Sequence, residues 1–171
     1  MRELIDIFKP NDEIHEFMKQ NEILEYQITS NGVDVQGNAY IGEEGSHLIE
    51  LPFKFNEIHG DFSCSDVGLI TLKNNPNVVH GDFSCSDNQL TSLEFIPKYL
   101  GKICFCMNNN IEPWGHRYLL FSEVQGKIFT DKNDLDRFFR KYQNKKALIP
   151  EALKELRELQ KRWEQMNART Y

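Results

Sequence analysis

The octet His59-Gly-Asp-Phe-Ser-Cys-Ser-Asp66 recurs without change at His80-Gly-Asp-Phe-Ser-Cys-Ser-Asp87, 21 residues later. The echo runs on in both directions. Leu48, Leu69 and Leu90 keep the step, as do Leu51, Leu72 and Leu93, then Pro76 and Pro97, then Ile58, Val79 and Leu100. A fixed period of about 20–29 residues marks stacked repeats, each of which buries its apolar face only against its neighbours. Such a stack offers a continuous surface and no built-in catalytic apparatus.

Within each copy the alternation predicts one short strand whose inward pair is Phe62 and Cys64, Phe83 and Cys85, or Cys104 and Cys106. Asn88 and Asn109 follow their strands, where a side-chain amide can bond the backbone as the chain turns away. Val67 stands in the matching place of the first clear copy, so that turn needs another partner. Leu69 with Leu72, and Leu90 with Leu93, line the return path, and Ile111 closes the third copy. Pro76 and Pro97 then set a bend. His59, His80 and Gly101 open the three copies, with Ile58, Val79 and Leu100 supplying an apolar contact one place earlier.

The flanks read as caps. Residues 26–41 alternate around Asn31-Gly32, a hairpin signal. Gly37–Ile41 then echoes Gly60–Cys64 as a degenerate first repeat, and two extra residues around Glu43–Ser46 restore the register. Asn11–Met18 predicts a capped helix with Ile14, Phe17 and Met18 on the face that covers the open end of the stack. Beyond the repeats, Trp114–Val124 reads as a helix ending at Gly126, with a strand pair around Gln125-Gly126 as the alternative. A second helix starts at Thr130–Asn133 and carries the stripe Leu135, Phe138, Phe139, Tyr142. Pro150 opens a third, with Leu153, Leu156, Leu159, Trp163 and Met166 on one side and Glu158 paired to Arg162. The expected fold is therefore α+β: a helix and hairpin cap (1–36), a repeat solenoid of parallel strands, one per repeat (37–114), and a C-terminal helical region (115–171).

The run Gly81–Pro97, GDFSCSDNQLTSLEFIP, closely matches G-x-F-x-C-S-x-N-x-L-T-S-L-x-x-x-P. Val33–Phe55 follows the same scheme. On these residues the chain resembles the small leucine-rich-repeat proteins common in tailed-phage genomes, over roughly Tyr26 to Ile111. The resemblance implies a leucine-rich-repeat solenoid and a phage or phage-like origin. It implies no activity, because one fold hosts many functions.

The 171 residues suffice for one unit with a real core. The sequence has no long apolar run and no basic start followed by an apolar segment, so neither a membrane span nor a secretion signal is expected. Three of the four cysteines (64, 85, 106) recur at 21-residue steps on inward positions, which favours buried structural thiols over zinc ligands or disulfides. Reduced thiols favour a cytoplasmic home, that of the bacterial host for a phage protein. Net charge is −8 over residues 1–50, −2 over 51–111 and +4 over 112–171. That is not the broad basic field of a nucleic-acid binder.

No phosphate loop, H-E-x-x-H or G-x-S-x-G is present, so no catalytic residue, cofactor or metal is assigned. His59 and His80 should stack beside Asp61 and Asp82, and repetition alone accounts for that constellation. The outward positions define a binding face instead: Tyr40, then Asp61 and Ser63, then Asp82, Ser84 and Asp87, then Ile103, Phe105 and Met107. Trp163 is a candidate anchor on the last helix, which is also the candidate surface for a homodimer. The expectation is a non-enzymatic interaction module that grips a host protein, one with a basic groove, and so inhibits or redirects a bacterial defence factor. Two alternatives belong to other classes. One is nucleic-acid binding through Arg137, Arg140, Lys141, Lys145 and Lys146 with Phe139 and Tyr142. The other is a metal-dependent enzyme around His59, His80, Asp61 and Asp82.

Overall fold

The computed structural model describes residues 10–42 and 47–169. After helix α1 (Pro10–Gln20), the chain lays down strands in pairs. These are β1 (Tyr26–Thr29) with β2 (Gly32–Val35) and β3 (Ala39–Tyr40), then β4 (Phe55–Ile58) and β5 (Phe62–Ser63), then β6 (Val78–Val79) and β7 (Phe83–Ser84), then β8 (Tyr99–Leu100) and β9 (Cys104–Phe105), then β10 (Glu123–Val124) and β11 (Ile128–Phe129). A 3-10 helix, Pro113–Phe121, lies between β9 and β10, and α2 (Asn133–Tyr142) and α3 (Ile149–Asn167) end the described chain. The strands stack in two sheets, one in the order β1-β2-β4-β6-β8-β10 and the other β11-β9-β7-β5-β3. Apart from the β1–β2 hairpin every pairing is parallel. The protein is thus an α+β fold built on a β-solenoid of about four turns.

Each turn contributes two strands, not the single one expected. Ile58, Val79 and Leu100 end strands of the six-stranded sheet, and the Phe/Cys segments form the other. The stack also continues past residue 114. Tyr99 pairs with Glu123 and Cys104 with Ile128, so the segment read as helix up to Gly126 holds a 3-10 helix followed by strands on either side of Gln125-Gly126, the alternative reading. The degenerate first repeat is in place, with Ala39 beside Phe62. The insertion placed at Glu43–Ser46 lies outside the described residues. The hairpin turns through Ser30 and Asn31, and Gly32 begins β2 at φ 127°.

The core is the stack of inward positions. Phe55, Ile58, Phe62, Cys64, Leu69, Leu72, Val79, Phe83, Cys85, Leu90, Leu93, Leu100 and Cys104 are all essentially inaccessible to water. Phe62 and Phe83 stack with ring centroids 6.1 Å apart. The missing Asn at Val67 is made good from the next coil. Asn88 Oδ1 accepts the N–H groups of Val67 at 3.3 Å and Leu69 at 2.9 Å. Asp66, Asp87 and Asn108 leave their strands at φ 57°, 58° and 53°, a left-handed bend that Asp and Asn tolerate. Asn75 is the exception in this core: it is fully buried, and neither side-chain polar atom has a partner among the described residues.

Helices close both ends. Met18 of α1 is buried and Phe17 meets Phe53 edge-on at 5.1 Å. The α2 stripe Leu135, Phe138, Phe139 and Tyr142 is buried as read, and α2 packs on β11. Of the α3 stripe only Leu156 is fully buried, together with Ala152, and Met166 is exposed. Glu158 bridges to Lys161 at 2.9 Å, not to Arg162, whose Nε reaches the Glu158 carbonyl. The Arg157 guanidinium lies over the Trp114 ring, and Gln160 accepts the Trp114 N–H at 3.0 Å, which fastens α3 to the 3-10 helix.

Candidate partner-binding face

Pairing across the five-stranded sheet sets Tyr40, Ser63, Ser84, Phe105 and Phe129 in one outward row. With strands about 4.8 Å apart, Tyr40 and Phe105 sit about 14 Å from each other, separated by small serines. Tyr40 is exposed, and Phe105 and Phe129 stack at 5.4 Å with both rings half-buried. Ile103 and Met107, also half-buried, flank Phe105 along its strand direction. α2 meets β11 at the end of the sheet, and the apolar row keeps part of its surface in water.

The acidic residues have a second job that the sequence did not suggest. Asp61 Oδ1 accepts the Asp82 N–H, and Asp82 Oδ1 accepts the Ile103 N–H, at 2.8 and 2.9 Å. Each carboxylate thereby ties its coil to the next while its charge stays near the surface. Asp87 accepts from Asn108 Nδ2 at 2.7 Å. Among the serines, Ser65 and Ser84 share a 2.7 Å hydrogen bond. Phe129 joins this face and was missed. Its signal was Gly126-Lys-Ile-Phe129, an echo of Gly101-Lys-Ile-Cys-Phe105 displaced from the 21-residue step.

Trp163 is far along the chain from this row. It lines, with Leu135, Leu159, Arg137, Arg162 and Met166, a cleft of about 670 Å³ between α2 and α3. The basic cluster is partly neutralised, since Lys141 bridges Glu155 at 2.8 Å and Arg137 approaches Asp134 at 3.8 Å. Phe139 and Tyr142 are core residues and cannot stack on a base.

His59 and His80 do stack, with centroids 5.2 Å apart and rings 8° from parallel. Their neighbour is not Asp61 or Asp82. His80 Nε2 bonds Glu57 Oε1 at 2.7 Å, and Glu57 was not singled out by its sequence position. The expected His/Asp pairing is therefore corrected: both aspartates turn to backbone N–H groups. The cysteines are buried free thiols, and desolvation raises Cys64 to about 12 and Cys85 well above its ordinary value. Cys64 and Cys85 are therefore neutral packing groups, unsuited to nucleophilic work.

One buried titratable group carries a prediction. His116 is almost wholly buried, and desolvation lowers its pKa from 6.5 to about 4. Between those values the unfolded chain binds a proton that the native one does not, so stability rises with pH there. The contribution is complete above pH 6.5 and is lost as pH falls toward 4. Denaturation at pH 7.5 and pH 5 should differ by about 2 kcal/mol from this group. His116→Gln should flatten that slope, and an unchanged slope would contradict the assignment.

No protein-family model matches the chain, and searches of the curated proteins and of the solved structures return no match. No helix among the described residues is long and apolar enough to cross a membrane.

Proposed function

We propose that this chain is a non-enzymatic protein-interaction module of the leucine-rich-repeat kind, gripping its partner with the outward face of the five-stranded sheet. The observation that carries the reading is the half-exposed aromatic pair Phe105–Phe129 with Ile103 and Met107 beside it, at one end of a shallow serine floor. Apolar side chains gathered on a rigid sheet, rimmed by polar ones, suit a contact site. The carboxylates of Asp61, Asp82 and Asp87 favour a partner with a basic surface, through charge complementarity. Resemblance to phage repeat proteins supports a phage-encoded role in the bacterial cytoplasm, inhibiting or redirecting a host defence protein.

The test is affinity capture from bacterial lysate followed by mass spectrometry, with wild type beside the Phe105→Asp/Met107→Asp double variant. Loss of a central apolar anchor typically costs about 2 kcal/mol, roughly 30-fold in affinity. A host protein held by wild type and released by a folded double variant is the expected outcome. A partner retained by both would move the site off this face, and no specific capture would count against the module itself.

A further inference from the structure

We propose that Glu57, His59 and His80 form a binding site for one divalent transition-metal ion of the zinc class, on the outward side of the six-stranded sheet. One ligand atom from each residue lies within 4.8 Å of the other two. His80 Nε2 and Glu57 Oε1 are already 2.7 Å apart, and the ion would take the place of the proton they share. His59 is poised: its ring stacks on His80, and its nitrogens make no hydrogen bond among the described residues. Zinc with ligand bonds of about 2.0–2.1 Å needs tetrahedral donors about 3.3 Å apart. Small side-chain rotations close that gap, because both histidines are exposed and Glu57 is half-exposed.

Repetition accounts for the two histidines and not for the carboxylate. Val78 and Tyr99, in register with Glu57 on the two following coils, are not carboxylates, and Asp34 on the preceding coil accepts from Asn56 Nδ2 at 2.7 Å, so Glu57 is the carboxylate that meets the histidine pair. The histidines themselves occur in two coils, with Gly101 in the next. The parallel pairs Glu57–Val78 and Ile58–Val79 hold the backbone beneath all three. Neutral imidazoles and a carboxylate are a donor set for zinc, nickel or copper, and the solvent side leaves coordination positions for water or for a group from a partner. This site stands on the other sheet and is independent of the aromatic row.

The experiment is calorimetric titration of Zn2+ into the full chain bearing no histidine tag. One equivalent should bind. His59→Ala, His80→Ala and Glu57→Gln should each weaken binding by at least the roughly 10–100-fold that even an outer-shell change costs. His47→Ala, at an exposed histidine outside the cluster, should leave it unchanged. As a reading that needs no variant, Zn2+ should shift the imidazole resonances of His59 and His80 in the wild-type protein. Absence of saturable binding, affinity insensitive to His80→Ala, or unshifted His59 and His80 resonances would each overturn the site.

Discussion

Replacing Asn88 with alanine is expected to cost the fold about 4 kcal/mol, the largest loss from any single polar side chain here. Asn88 is buried between two coils. Its amide nitrogen donates to the carbonyls of Cys64, Cys85 and Ser86 at 2.8, 3.1 and 3.1 Å. Its oxygen accepts from Val67 and Leu69 at 3.3 and 2.9 Å. Alanine leaves the Val67 and Leu69 N–H groups and the Cys64 carbonyl short of a partner in the interior, whereas the Cys85 and Ser86 carbonyls keep Asn109 and the Asp66 N–H. Each buried group left unsatisfied costs about 1–3 kcal/mol, and shared hydrogen bonds keep the sum below the maximum. Asn109 provides the internal comparison. It serves Leu90, Cys85 and Met107 only, and is half-exposed, so Asn109→Ala should cost about half as much. Urea denaturation followed by circular dichroism measures both. Equal losses, or less than about 1 kcal/mol for Asn88→Ala, would show that the amide ladder does not hold the coils together.

The solenoid was legible because a 21-residue step carries its own register. Once Phe62 and Phe83 share a motif, their pairing follows, and the structure sets them side by side. Two strands per turn were hidden for a physical reason. Val78–Val79 and Tyr99–Leu100 are too short to alternate visibly, so only their last residues registered as apolar contacts. The final strand pair was legible only as the alternative around Gln125-Gly126, because the 3-10 helix stretches the step to 24 residues between Cys104 and Ile128. The site residues divide along the same line. Ser63, Ser84 and Phe105 could be placed by alternation, whereas Phe129 depended on the displaced step. Glu57 is not repeated, so only the folded chain brings it to His80.

Gly81→Ala is expected to destabilise the protein by about 3 kcal/mol, while the same change at Gly37 is neutral or slightly stabilising. Both glycines hold the same place in their repeats, where the chain passes from one sheet to the other. Gly81 does not have a positive φ, so its lack of a side chain is a matter of space. A methyl group there would lie 2.1 Å from Asp61 Oδ1 and 2.6 Å from the carbonyl of Gly60. That carbonyl accepts the Gly81 N–H at 2.8 Å, so the coils must part where they are bonded. Overpacking alone costs about 1–3 kcal/mol, and each weakened ladder bond adds about 1. The Asp61 carboxylate must also give way, which loosens its bond to the Asp82 N–H. At Gly37 a methyl group meets nothing within 4 Å, and alanine merely restricts the unfolded chain, worth about 0.4–1 kcal/mol. Opposite signs in paired thermal melts would establish that close coil stacking, and not backbone conformation, fixes glycine in the His-Gly-Asp turn. A loss of similar size at both positions would instead place the requirement in the turn itself.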